Sequence, residues 1–402
     1  MKLPRTAAGH MGQGLLDVHE LCYVHDIVNT VLIEDIASEA ALERRLADTL
    51  RGLLAAPGWL DGWRVERAVG GQWDLTASGP LPSGGKAQLC VEVKQHLVPS
   101  QFPSLLDRSC GSPRHPSTRV LAMVGVSPRL AALCRQHGWS WFDLAGNCRL
   151  EIPGTLLIER AGHIRVRLKS AREVSLGSDE AGLVVRALLA PQHAGRRWTQ
   201  RGVVAHFADL PTLMVQPSLS LVNKVVQHLR NEAFLEALPA GGFRVRDPEG
   251  LLKAWNLDYR TSGYARRRWF TLLRGRELSE RLRTFNDGHE APGCALLAGF
   301  SAAEILAPAV RQPLTWLMVG PFEESGLREA LEAKVVDSGE NVVALVPEHP
   351  GPFYWPDADS HPPCTNAVQT YVDLQHLGGR GEEAAAALLE QRLRPAWKAV
   401  AQ

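Results

Sequence analysis

The sequence predicts an α/β protein: a domain built on a mixed sheet, then a central winged helix-turn-helix, then a small C-terminal α/β domain. Three observations carry this. Residues 38–170 run in the order helix, three strands, helix, strand, helix, strands, as expected of helices packed on a mixed sheet. Residues 176–250 hold three short helical runs followed by two strand-length runs around Gly241-Gly242. Residues 284–402 carry seven Lys/Arg against sixteen Asp/Glu, a net of −9 in a chain whose total is +1. The first 283 residues therefore hold about +10, which matters for any anionic partner.

A chain of 402 residues exceeds what one core usually serves, so two or three domains are expected. Residues 1–37 have weak periodicity and read as an N-terminal arm. "SEAALERRLADTLRGLLAA" (38–56) repeats Leu42, Leu46, Leu50 and Leu53 or Leu54 at helical spacing, and Pro57-Gly58 ends the helix. "WRVERAV", "QWDLTAS" and "AQLCVEVK" read as strands separated by Gly-Gly and Pro-Ser-Gly-Gly turns. A short helix is expected near Phe102–Arg108, then the buried strand "TRVLAMVGV", a helix capped by Ser127 and stopped by Gly138, and strands in "WSWFDLAGNCRLEI" and "TLLIER".

Seven cysteines lie scattered with no CxxC pair, which argues against a disulfide framework or a zinc site and suits a reducing cytoplasm. No uncharged apolar stretch of 18 residues occurs, so a membrane-spanning or secreted protein is not expected.

"QWDLTASGPLPSGGKAQLCVEVK" (72–94) places Asp74 on one strand and Glu92 and Lys94 on the next. A hairpin brings them side by side, with Glu92 and Lys94 on one face and Val91 and Val93 on the other. Carboxylates of this kind can hold Mg²⁺ or Mn²⁺, and an ammonium can orient water or offset charge on phosphate. The same residues also suit the solvated face of an ordinary hairpin, and both readings stand at this point.

In the central segment, Ser178 and Thr199 cap two helices, and a third starts at Ser218. Val222, Val225, Val226 and Leu229 form its apolar stripe, and Ser218, Ser220, Asn223, Lys224 and Gln227 fall opposite. Such a face suits a helix whose start lies in the major groove of duplex DNA. Arg244 and Arg246 alternate outward on the hairpin that follows. From Arg196 to Arg230 there are five basic residues and one acidic, and residues 260–283 hold eight arginines and two glutamates. Arg196, Arg197, Thr199 and Arg266, Arg267 and Arg268 join the candidate phosphate contacts, although the last three could instead meet the acidic C-terminal part. That part could hold a protein partner or a second copy of the chain. Its Asn341, Gln369 and Asp373 have turn-forming and capping explanations.

Asp74, Glu92 and Lys94 resemble the PD-(D/E)xK core of restriction-endonuclease-like proteins, with Trp73 in place of the usual proline. "DLAGNCRLEI" (143–152), "VRDPEGLLKAW" (245–255), "LLAGFSAAEILAP" (296–308), "VVDSGENVVALVP" (335–347) and "VQTYVDLQHLGGRGEEAAAALLEQRL" (368–393) together resemble the AbiEi family of bacterial antitoxins and transcriptional regulators. The resemblance implies a cytoplasmic DNA-binding repressor of a type IV toxin–antitoxin operon, with a nucleotidyltransferase toxin as partner. It divides the chain into an endonuclease-like domain (38–170), a winged helix-turn-helix (171–258) and an acidic α/β domain with a basic N-terminal segment (259–402). No cofactor is needed for DNA binding. A homodimer is expected from the motif class. The alternative is a DNA endonuclease, dependent on Mg²⁺ or Mn²⁺, with Asp74 and Glu92 on the metal and Lys94 beside them.

Overall fold

The computed structural model describes residues 30–399 except 34–35, 37, 59–60, 68–71, 82–83, 110–115, 161–164, 169–174, 209, 211–215, 260–262, 289–293 and 358–359. Most of the expected N-terminal arm lies outside the described residues. The chain is mixed α/β and divides into two compact units, residues 1–96 with 107–171 and residues 97–106 with 172–402.

The first unit opens with β1 (Thr30–Ile33) and α1 (Glu39–Ala55). Ser38 caps α1 by accepting from the Ala41 amide at 3.2 Å, so one of the orphan N–H groups of the first turn is satisfied. A single stripe of leucines, Leu42, Leu46, Leu50, Leu53 and Leu54, is 0–3% exposed, each contributing roughly 1.5–3 kcal/mol by burial. There follow β2 (Arg64–Arg67), β3 (Leu75–Pro80), β4 (Lys86–Lys94), β5 (Ser117–Met123), α2 (Pro128–Gln136), β6 (Ser140–Asp143), β7 (Cys148–Ile152), β8 (Leu156–Arg160) and β9 (Arg165–Leu168). Strands β2 to β8 form one seven-stranded sheet in chain order. Its two parallel pairings, β4–β5 and β5–β6, lie at the centre, and antiparallel pairings run out to both edges. α2 supplies the crossover between β5 and β6, since parallel neighbours need a long connection. β1 pairs in parallel with β9 in a separate ribbon.

The core of this unit lies between α1 and one face of the sheet, formed by Val65, Leu75, Ala77, Leu89, Val91, Val93, Val120 and Ala122. Strand alternation sends Cys90, Glu92 and Lys94 to the other face. Cys90 is disulfide-bonded, unlike the unpaired thiols expected from the scattered spacing. Cys134, Cys148 and Cys364 are free and buried, and Cys294 is buried. Burial pushes the Cys134 thiol up to about 12. Where a short helix near Phe102–Arg108 is expected, the chain forms a 3-10 helix at Pro99–Leu105.

Besides the 3-10 helix at Pro99–Leu105, the second unit holds α3 (Asp179–Leu189), α4 (Gln200–Ala208), α5 (Leu219–Asn231), β10 (Leu235–Ala237), β11 (Phe243–Val245) and α6 (Pro248–Asp258). β10 and β11 pair antiparallel, and Trp198 adds a bridge to Phe243. That bridge requires a glycine beside it: Gly242 has φ +83, and a Cβ there would lie 2.4 Å from the Trp198 carbonyl oxygen. Next come β12 (Tyr264–Phe270), α7 (Gly275–Asp287), β13 (Ala295–Leu297), α8 (Gly299–Leu306), β14 (Thr315–Val319), α9 (Glu324–Ala330), β15 (Lys334–Val335), β16 (Val342–Pro347), α10 (Ala367–Leu377), α11 (Gly381–Leu388) and α12 (Arg394–Lys398). The sheet order is β13-β14-β16-β12-β15.

The segments read separately as 171–258 and 259–402 share one hydrophobic core, in which Trp198, Val225 and Trp255 join Trp269, Val343 and Val372. Residues 266–268, candidate phosphate contacts that could instead meet the acidic C-terminal part, lie within β12 and pair with β16. Among the described residues, no helix is long and apolar enough to cross a membrane.

Candidate functional site

Two sites follow from the sequence, and each lies within one unit. In the first unit, Leu75 pairs with Val91, so the residue before β3, Asp74, falls across from Glu92. Asp74 Oδ2 accepts from the Val93 amide at 2.7 Å. Glu92 is 0% exposed, and its carboxylate is ion-paired with both Lys94 and Arg108. Asp74, Glu92 and Lys94 therefore share one end of the hairpin, as the spacing predicts. What differs is the surroundings, because Glu92 is sealed rather than solvated. Arg108 arrives from the connection after β4, and nothing in local spacing pointed to it.

This donor set does not present the free carboxylate oxygens that Mg²⁺ or Mn²⁺ would require. Glu92 is taken by two cations and one Asp74 oxygen by a backbone N–H, so a metal ion would have to displace a guanidinium from a buried site. Glu43, which could complete the set from α1, pairs with Arg67. Arg67 stands opposite Leu75 in the β2–β3 pairing, on the face away from Glu92. Among the described residues no group of three His, Cys, Asp or Glu side chains is placed to hold a metal ion. Asp143, in the "DLAGN" motif, has a structural role: its Oδ1 accepts from the amides of Ala145 and Asn147, both at 3.0 Å, closing the turn into β7. Burial raises its carboxyl pKa in spite of these bonds.

In the second unit, Ser218 caps α5 through the Leu221 amide at 3.2 Å. Val222, Val225, Val226 and Leu229 are 0% exposed, while Ser218, Ser220, Asn223, Lys224 and Gln227 are exposed. The helix thus presents the predicted polar face from a rigidly packed base. Asn223 is held by Gln200 of α4, whose Nε2 donates to Asn223 Oδ1 at 2.8 Å. Gln227 donates to Asn231 Oδ1 at 3.0 Å. Thr199 Oγ1 caps α4 by accepting from Gly202 at 2.9 Å.

The arginines divide by how much of their charge the chain already uses. Arg196 lies over the Trp198 ring at 4.0 Å, Arg197 donates to the Ala240 carbonyl, and Arg244 is ion-paired with Glu236. Arg246 is exposed. Arg266 stacks over Trp316 at 4.8 Å, Arg267 pairs with Glu324 at 2.8 Å, and Arg268 faces Glu340 at 3.7 Å and donates to the Asp337 carbonyl at 2.9 Å. These three meet the acidic part of their own chain. Asn341 braces the Thr271 turn through both its amide groups, at 3.0 and 2.9 Å, but Gln369 and Asp373 are not caps. They are 0% and 1% exposed, at the centre of a buried polar network.

Compared with known proteins, the chain matches no family model, no curated protein and no solved structure at a significant level.

Proposed function

We propose that this chain is a sequence-specific double-stranded DNA-binding transcriptional regulator, an antitoxin-like repressor of the AbiEi type acting in the cytoplasm. On this reading α3, α4, α5 and the β10–β11 hairpin are a winged helix-turn-helix, with α5 entering the major groove and the hairpin as wing. The observation that carries it is the face of α5: Ser218, Ser220, Asn223, Lys224 and Gln227 exposed over a stripe of four valine and leucine side chains at 0% exposure. Serine hydroxyls and the helix start suit phosphate, Asn223 and Gln227 suit adenine edges, and Lys224 adds a phosphate contact. On this reading Arg196, Arg197, Arg244 and Arg246 add further phosphate contacts.

The first unit is read as a restriction-endonuclease-like domain kept for its fold and not for cleavage. The ion pairs that Lys94 and Arg108 make with Glu92 support this. The partners proposed are duplex DNA, a second copy of the chain on a palindromic site, and a toxin protein on the acidic C-terminal part. Binding of labelled duplex fragments from the chain's own operon region tests the reading, comparing wild type with Asn223→Ala/Lys224→Ala at two salt concentrations. Unchanged affinity and salt dependence in the double variant would remove α5 as the reading element.

A further inference from the structure

A cavity of about 310 Å³ lies within the second unit, lined by α3, α6 and the segments around Gly263 and Pro347–Pro352. Arg186 of α3 lines it and is only 5% exposed. Its surroundings are built for a guanidinium. The group lies over the Trp255 ring at 4.9 Å and the Tyr259 ring at 5.9 Å. Two glycines let backbone close in: a Cβ at Gly182 would sit 2.8 Å from Arg186 Nη1, and one at Gly351 3.0 Å from it.

The anomaly is what Arg186 lacks. Its Nε donates to Gln369 Oε1 at 2.8 Å, a neutral acceptor, and among the described residues it makes no ion pair. Gln369 in turn donates to Asp373 Oδ1 at 2.8 Å, so the nearest carboxylate of the network is reached only through an amide. Asp373 attracts the guanidinium from beyond that amide, but among the described residues no carboxylate meets it directly, and a buried cation answered only at a distance is costly. Chains keep such an arrangement where a ligand supplies the missing charge.

The rim has the opposite sign. Glu348 is exposed and lines the mouth, where its carboxylate lies close to Gly263. Asp179, also at the mouth, is paired with His349 at 2.7 Å. A doubly charged phosphate would meet these acids on entry. A zwitterion has no net charge to be repelled: its carboxylate can form a bidentate pair with Arg186 while its ammonium faces Glu348 and Asp179.

We propose that this cavity binds a small zwitterion of the α-amino-acid class, carboxylate inward on Arg186 and ammonium outward at Glu348. The inference is independent of DNA binding. Because α3 and α6 line the site and pack in one core with α5, occupancy would also reach the helical segment that carries the polar face.

The test is thermal unfolding of the full chain with each common α-amino acid, and with inorganic phosphate, at concentrations about a hundredfold above the expected Kd. At least one amino acid should raise Tm by a few degrees, saturably, with phosphate giving no comparable shift. Arg186→Met should weaken that binding about tenfold or more. Glu348→Arg, on an exposed residue, should weaken it about fivefold or more and carries the test alone if Arg186→Met does not fold. No shift with any amino acid, an equal shift with phosphate, or unchanged affinity in Glu348→Arg would each overturn the proposal.

Discussion

Arg108 closes on the carboxylate of Glu92, a side chain with 0% exposure on the inner strand β4. The pairing joins the strand to the connection that follows it, and with Lys94 on the other oxygen it leaves a buried charge neutralised inside the protein. Removing one partner of such a pair is costly because the other charge stays buried. Arg108→Ala should therefore destabilise the chain by roughly 1–3 kcal/mol, since Lys94 still meets Glu92, and Glu92→Gln/Arg108→Met by less. Urea unfolding of the three proteins checks this, and equal losses in both variants would mean the pair is not a buried unit.

The same pairing bears on cleavage. With plasmid DNA and Mg²⁺ or Mn²⁺, wild type and Asp74→Ala/Lys94→Ala are expected to leave the DNA intact, because Glu92 is already held by two cations. Nicking by wild type that the double variant loses would show that the ion pairs open and that the metal-dependent alternative is correct.

On the α5 face, two neighbours should behave differently. Lys224→Ala should weaken binding about equally on all sequences and lower the salt slope by about one. Asn223→Ala should cost roughly 1–3 kcal/mol on the preferred site and little elsewhere. Gln200→Ala is expected to act like a weaker Asn223 change, since Gln200 fixes the Asn223 carbonyl. Equal losses on specific and random duplexes for Asn223→Ala would contradict base reading.

Arg267 and Arg268 offer the contrast. Their pairing with Glu324 and Glu340 is internal, so Arg267→Gln/Arg268→Gln should leave DNA affinity within about twofold of wild type. A loss as large as that from Lys224→Ala would place β12 in the interface.

Asp373 makes stability depend on pH. Burial pushes its carboxyl up to about 6 from an ordinary 3.8, against the pull of Gln369, Tyr259, Arg186 and Tyr264 around it. A raised folded pKa gives stability that is full below the unfolded value and lost as pH rises through the folded one. Between about pH 4 and 6 the neutral carboxyl should be worth up to about 3 kcal/mol, a dependence that Asp373→Asn removes. His193, whose pKa burial lowers, works the other way: its stability is present above about 6.5 and lost as pH falls. The difference between wild type and Asp373→Asn isolates the carboxyl, and a difference constant with pH would exclude it.

Much of the architecture was legible locally. Leu42 to Leu54 at helical spacing, the caps Ser127 and Ser178, the helix start at Ser218, and the Gly241-Gly242 turn each act within a few residues of themselves, and each forms the element their pattern predicts. The exposed side chains of α5 were legible for the same reason, since a stripe of Val222, Val225, Val226 and Leu229 leaves only one face for Asn223 and Lys224. For the arginine run 266–268 the sequence left two readings open, because charge alone does not distinguish phosphate contacts from a strand whose side chains are answered by Glu324 and Glu340.

What the sequence determined by itself is the order of helices and strands in residues 38–160, the hairpin that sets Asp74 beside Glu92, and the polarity of α5, all products of chain periodicity and short-range bonding. Only the tertiary structure decided that Arg108, 16 residues from Glu92, would seal its carboxylate. Only folding, likewise, brought Gln369 to Arg186 across a separation of 183 residues. Pairings of that kind are made when distant segments are packed out of water together, and the cost of burying a charge, not local spacing, selects them.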